Sequence, residues 1–304
     1  MISINKRYTN VCLPDKLLIC ITFYYVKERL YLLKNISKDF SSLGNYVSVC
    51  IATNTFDSNE LAEIHTLMKF TNVDQYEIVT PEYLGHPYLL TWIHLGIFRK
   101  YFTDHTYSHF LYMEDDIRIT IKNVMYWQFS RELLRPYGLV PGFVRFEYKK
   151  HNSDLYATDF VSHVNFYTMP KVNYINNYTF MNLSNAYQAC YLMDRELMEE
   201  HLLGDSSNPD FGRWDIRARA AAGLTFFSVP EGFLSRNVVG VQMPSMQIDE
   251  DALIHHTANN YANDEGAPNA KILIPELIKS DYYCYLRFIL KKISIKNLRK
   301  IFTT

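Results

Sequence analysis

Three consecutive carboxylates, Glu114-Asp115-Asp116, end the apolar run Phe110-Leu111-Tyr112-Met113 in the stretch SHFLYMEDDIRIT. A helix cap needs one carboxylate and gains about 1 kcal/mol from it. Three in a row repel one another, and a divalent cation relieves that repulsion. Mg2+ and Mn2+ are commonly held through one or two carboxylates plus substrate phosphates. The triplet therefore predicts a Mn2+ or Mg2+ ion and a diphosphate at the end of an apolar strand.

Other residues of suitable chemistry lie far away in the chain. Asp215, in FGRWDIR, opens the helical run IRARAAAGL and suits either of two roles: the N-cap of that run, or a general base that takes a proton from a hydroxyl. Glu231, in PEG, and Asp210 are the alternative carboxylates for that role. His255 and His256, in DALIHHTANNYAN, offer neutral imidazole to a Mn2+-type site, and their adjacency does not choose between them. Arg145 and Glu147 share one face of the run GFVRFEY, either to contact a substrate or to form a structural ion pair. Tyr187, Gln188 and Asp194, ahead of a later helix, complete the candidates.

The elements that must position these residues alternate. Lys16 to Phe23 (KLLICITF) and Tyr46 to Thr53 (YVSVCIAT) read as strands apolar on both faces, Tyr76 to Thr80 as a third, and the opening stretch as a fourth. Between them, Glu28 to Phe40, the segment capped by Asp57-Ser58-Asn59-Glu60, and YLLTWIHLGIFRKYF after His86-Pro87 show helical spacing. Two-faced apolar strands separated by helices predict an α/β fold with a mostly parallel sheet. Ligands bind such sheets beyond the carboxyl ends of the strands, where the triplet falls. Farther on, a helix at Lys122 to Leu134, a strand at Gly142 to Tyr148, a loop-rich Tyr/Asn segment over 151–182 and a helix at Asp194 to Leu203 are expected. With no repeat or linker, one catalytic domain over 1–280 is the economical division, followed by a tail over 281–304.

Composition narrows the class. The 304 residues are 48% hydrophobic and 21% charged with a net charge of −1, as in soluble globular proteins. Five scattered cysteines without a Cys-x-x-Cys pair indicate neither a disulfide framework nor a zinc knuckle. The first sixteen residues have no apolar core of signal-peptide length, and no apolar run reaches the ~20 residues of a bilayer span. A cytoplasmic protein is expected. Residues 282–304 carry six basic residues and no acidic one, leaving 25 basic against 32 acidic residues elsewhere. Leu286, Ile289, Leu290, Ile293 and Ile301 fall on one helical face. The segment reads as an interfacial helix on anionic lipid, against the alternative of a terminal helix docked on the domain. Nucleic acid is not an expected partner.

The carboxylate motif resembles that of the GT-A fold nucleotide-sugar glycosyltransferases, nearest to the N-acetylglucosaminyltransferase I type, whose apolar-Glu-Asp-Asp-apolar run is similar to YMEDDIRI. IATNTFDSNELAEI (51–64), GRWDIRAR (212–219) and FSVPEGFLSRNVVG (227–240) are similar to further segments of that group, in the same order. The resemblance implies a GT-A, Rossmann-like fold and an inverting transfer from a nucleotide-diphosphate sugar. It places Asp116 on the metal, Asp115 on the ribose, Glu114 by the donor sugar, Thr22 and Asn54 near the base, and Asp215 as the catalytic base. Two departures stand out: Asn54 replaces an acidic residue, and two extra residues separate Glu231 from Ser235. Aligned instead with the Glu-Asp-x-Asp motif of other GT-A enzymes, Asp215 and Arg219 would put Arg213 at the usual base position. A membrane-held tail makes a lipid-linked glycan a reasonable acceptor, as in bacterial O-antigen or capsule assembly. A metal-dependent phosphoester or diphosphate hydrolase could use Glu114, Asp115, Asp116 and His255 as well, and a non-catalytic carbohydrate-binding protein is the third possibility.

Overall fold

The computed structural model of the chain describes residues 8–175 and 177–281. The basic tail lies outside the described residues.

The first half alternates strand and helix: β1 (Leu17–Phe23), α1 (Leu30–Ser37), β2 (Val47–Thr53), α2 (Ser58–Lys69), β3 (Gln75–Val79), α3 (Ile93–Phe102) and β4 (His109–Glu114). Every residue of β1 and β2 is buried, which is why these runs carry apolar and β-branched residues on both faces. β3 is an edge strand of intermediate exposure and carries Glu77. Asp57 starts α2 by accepting the Asn59 and Glu60 amides at 2.8 and 3.1 Å.

Beyond β4 come β5 (Ile117–Arg118), α4 (Ile121–Leu134), β6 (Val140–Pro141), β7 (Val144–Tyr148), β8 (Leu155–Ala157), β9 (Val164–Asn165), β10 (Lys171–Ile175), β11 (Tyr178–Met181) and β12 (Cys190–Asp194). The chain then forms α5 (Arg195–Leu203), α6 (Ile216–Ala220), β13 (Asn237–Gln242), β14 (Gln247–Ile248), β15 (Leu253–His256) and β16 (Ile278–Lys279).

The central sheet has the order β12-β4-β1-β2-β3, with β1 to β4 mutually parallel and β12 antiparallel to β4. This is a mixed α/β fold compatible with a Rossmann-like arrangement. The expected loop-rich segment over 151–182 instead contains β8, β9, β10 and β11. β10 and β11 join the mostly antiparallel sheet β10-β11-β13-β14, to which β6 adds in parallel. The third sheet, β5-β15-β7-β8, matters most for function. It pairs His256 with Ile117 and His255 with Arg118, and sets β7 alongside β15. The strand carrying the histidines is thereby docked on the residues that follow the carboxylate triplet.

Candidate functional site

A cavity of about 820 Å3 opens beyond the carboxyl ends of β1 and β4, the position at which open α/β sheets bind ligands. Thr22 at the end of β1 and Glu114, Asp115 and Asp116 at the end of β4 form its floor. Arg145 from β7 and His256 from β15 enter from the third sheet, and Trp214 and Asp215 enter from the turn before α6.

Each carboxylate of the triplet has a different environment. Glu114 Oε1 accepts the Tyr187 hydroxyl at 2.8 Å. Burial and the nearby Asp116 charge push its carboxyl up to about 7. Asp115 is gripped by Arg29, Nε to Oδ2 at 3.0 Å and Nη2 to Oδ1 at 2.6 Å. Burial drives the Asp115 carboxyl up to about 6 in spite of that grip. The two-pronged contact is that of an ionised carboxylate, so Asp115 is charged at neutral pH.

Asp116 is the centre of the group. Its Oδ2 lies 3.2 Å from Arg29 Nη2 and 3.3 Å from His256 Nε2. Burial alone would raise its carboxyl, but His256, Arg29 and Arg145 outweigh that and hold it at about 2. Its carbonyl accepts the Thr257 amide at 2.7 Å and hydroxyl at 3.0 Å. Asp116 Oδ1 is buried and has no hydrogen-bond partner among the described residues.

Behind His256, Glu147 is fully buried and accepts hydrogen bonds from His256 Nδ1 at 2.5 Å and the Ala262 amide at 2.5 Å. Burial disfavours the imidazolium, but the bonds to Asp116 and Glu147 prevail and raise its pKa to about 9. Arg145 clamps Asp159 through Nε at 2.9 Å and through Nη2, and stacks its guanidinium 4.7 Å over the Tyr187 ring. Arg145 and Glu147 share a face as the alternation predicts, yet they partner Asp159 and His256 rather than each other.

Around the cavity, Glu114, Asp115, Asp116, Glu147 and Asp159 set five carboxylates against three cations, Arg29, Arg145 and protonated His256. With Glu114 ionised two formal negative charges remain; its carboxyl, pushed up to about 7, is part-protonated at neutral pH, which is how the buried site limits a deficit that would otherwise be costly. A divalent cation fits this deficit. Asp116 through its bare Oδ1 could hold it, and His256 could join as a ligand once the proton on its Nε2 is displaced, with Glu147 fixing its far nitrogen as in many metal-binding histidines. Among the described residues no cluster of three or more His, Cys, Asp and Glu side chains is arranged to hold a metal by itself. Such an ion would draw its remaining ligands from substrate or water, as Mg2+ usually does.

The other candidates are distributed unevenly. Thr22 lines the cavity and bonds the Tyr112 hydroxyl at 3.3 Å. Asp215 lines it too, while its Oδ1 caps α6 through the Arg217 and Ala218 amides at 2.9 and 3.0 Å. Asn54 stands apart from the cavity lining and accepts the Tyr25 amide at 2.6 Å. Glu231 and Asp210 are exposed and also lie outside the lining. Alternation along β15 turns His255 away from the cavity. Its ring stacks on Phe146 at 5.1 Å and 10°, and its Nε2 pairs with Asn259 Oδ1 at 3.1 Å.

Among the lining residues that went unassigned from sequence are Arg29, Asp159 and Trp214. Arg29 and Asp159 carry no local signal, since their partners lie 86 and 14 residues away. Trp214 is held at φ 70°, a left-handed conformation uncommon for a bulky residue and concentrated at functional sites. Its ring sits edge-on between Tyr187 at 5.3 Å and Phe226 at 4.8 Å. Beside it, Tyr24 and Tyr88 line the cavity with 47% and 51% of their surface exposed, offering flat faces to a ligand. No protein-family model matches the chain, and no curated protein matches its sequence.

Proposed function

We propose that the chain is a metal-dependent glycosyltransferase of GT-A type. It would move a hexosyl or N-acetylhexosaminyl group from a nucleotide-diphosphate sugar, a UDP-sugar in the first instance, to a glycan or lipid-linked glycan. The observation that carries the reading is the buried, unpartnered Oδ1 of Asp116, a residue that lines the cavity at the carboxyl end of β4, with His256 on the same carboxylate. The parallel order β3-β2-β1-β4 and the aromatic faces of Tyr24, Tyr88 and Trp214 support it.

Asp116 and His256 would hold Mn2+ or Mg2+, which when bound supplies charge neutralisation at the diphosphate leaving group. Thr22 and Asp115 would border the nucleoside, although Asp115 must share its oxygens with Arg29. Glu114, held by the Tyr187 hydroxyl, and Arg145 behind it would orient the donor sugar. Asp215 would take the proton from the acceptor hydroxyl as the new bond to the anomeric carbon forms and the bond to the diphosphate oxygen breaks. Attack from the face opposite the leaving group inverts the centre. The basic segment 282–304 supports peripheral attachment at the cytoplasmic face of a membrane and use in surface-polysaccharide assembly.

The reading is tested by thermal shift with UDP, GDP, CMP and several UDP-sugars, each with Mn2+ and with EDTA. A shift with one nucleotide that grows with Mn2+ is the expected result. No shift with any of them at millimolar concentration favours the hydrolase or the carbohydrate-binding protein.

The two roles of Asp215 separate by substitution. Asp215→Asn keeps a capping oxygen and loses the base, so unfolding temperature holds while transfer falls by about 100-fold or more. Asp215→Ala loses the base and about 1 kcal/mol of cap as well. An Asp215→Asn enzyme with full activity would remove Asp215 from the chemistry and leave it as a cap.

A further inference from the structure

Arg29 sits at the start of α1, between β1 and the cavity, and its side chain is 39% exposed. Nε and Nη2 are committed to Asp115, and Nη2 also reaches Asp116 Oδ2 at 3.2 Å. Nη1 makes no hydrogen bond to any described residue. A guanidinium is planar and rigid. With one edge locked on Asp115, the free Nη1 edge is fixed relative to the carboxylates and points away from Asp115. Two carboxylates thus hold one arginine in place before any ligand arrives.

A cation prepaid in position, with donor capacity left over on a cavity wall, suits an anion that bears several oxygens. The cavity otherwise has a negative surplus, so such an anion needs cationic partners besides any metal.

We infer that Arg29 is a protein-supplied cation of a diphosphate subsite, donating from Nη1 to a phosphate oxygen of a nucleoside diphosphate. The inference shares with the transferase reading only the chemistry of the ligand. Arg29 carries part of the phosphate affinity even without divalent metal, and its grip on Asp115 and Asp116 remains in the bound state. Immobilisation beforehand spares the ligand the entropy cost of ordering a long side chain.

The experiment is calorimetric titration of the full chain with UDP, uridine and inorganic pyrophosphate, in EDTA and in Mn2+, for wild type, Arg29→Gln and Arg29→Lys. Ligand-free unfolding temperatures identify which variants are folded, and Arg29→Lys retains a charge where Arg29→Gln does not. In EDTA, wild type is expected to bind UDP and pyrophosphate measurably. Arg29→Gln should lose at least tenfold for both while uridine binding is unchanged, and Arg29→Lys should recover part of the loss.

Equal weakening of UDP and uridine by Arg29→Gln would reduce Arg29 to a brace for Asp115 and overturn the inference. Wild-type affinity for pyrophosphate in Arg29→Gln, or no pyrophosphate binding by wild type in EDTA, overturns it too. If UDP and uridine both fail to bind wild type while pyrophosphate binds and depends on Arg29, the uridine nucleotide is overturned as the ligand, in the inference and in the transferase reading alike, and Arg29 serves a different diphosphate.

Discussion

On the transferase reading, Asp116→Asn is expected to lower sugar transfer by at least about 100-fold, because it removes the charge on which the proposed cation site and His256 both depend. Metal and oriented-charge contributions at a leaving group reach several kcal/mol, and 1.36 kcal/mol is a factor of ten in rate. The substitution preserves volume, so packing against the cavity floor is kept. It also takes the charge from the partner of His256 Nε2 at 3.3 Å, leaving at most a neutral hydrogen bond. The carboxyl is held near 2 in the folded protein, so its ionised form stabilises the fold above the ordinary aspartate range, and that contribution fades as pH falls toward 2. The variant therefore melts below wild type at neutral pH, and the Mn2+-dependent part of the nucleotide shift disappears. Release of nucleotide with donor and acceptor saturating, followed across a Mn2+ titration, measures the effect. Activity within threefold of wild type would sink the assignment of Asp116 to the metal.

Arg145→Met destabilises the fold by about 3–5 kcal/mol, the usual cost of removing one partner of a buried ion pair. Both side chains are more than nine-tenths buried, 6% and 8% exposed, so solvent does not screen the loss. For a chain of this size that corresponds to a fall of roughly 5–8 °C in unfolding temperature. The reason is the stranded Asp159 carboxylate, together with a Glu114 carboxyl that loses a charge holding it down and moves above about 7. Arg145→Met with Asp159→Leu should recover most of the stability, since a matched apolar pair is often as stable as a buried ion pair. The double variant should remain impaired in transfer, because Glu114 and the Tyr187 ring lose the guanidinium that organises them. Melting curves and a double-mutant cycle provide the check. A single variant within 1 kcal/mol of wild type would mean that Asp159 finds water or another donor.

The carboxylate triplet, its place at a strand end and the neighbouring parallel strands were readable in the sequence because each depends on local pattern. Seven buried residues in β1 and seven in β2 leave an apolar run that no exposed element tolerates. Asp57 as a cap was readable for the same reason: the bonds span two and three residues. Residues 151–182 were misread because β8 to β11 are only two to five residues long. Strands that short carry too little alternation to register, and they are stabilised by partners such as β13 and β16 that arrive much later in the chain.

Tertiary structure decided which candidates meet. Two adjacent histidines look alike in sequence, but neighbouring strand residues face opposite ways. The pairing of β15 with β5 then sends His256 to Asp116 and His255 to Phe146. Arg29 reaches Asp115 and Asp116 only because β1 and β4 are neighbours in the sheet. Asn54 and Glu231, plausible by position in the chain, are left outside the cavity by the turns that follow β2 and precede β13. Local pattern determined the elements and the chemistry at the end of β4. Sheet register, set by burial energy summed over many distant residues, decided which side chains share that chemistry.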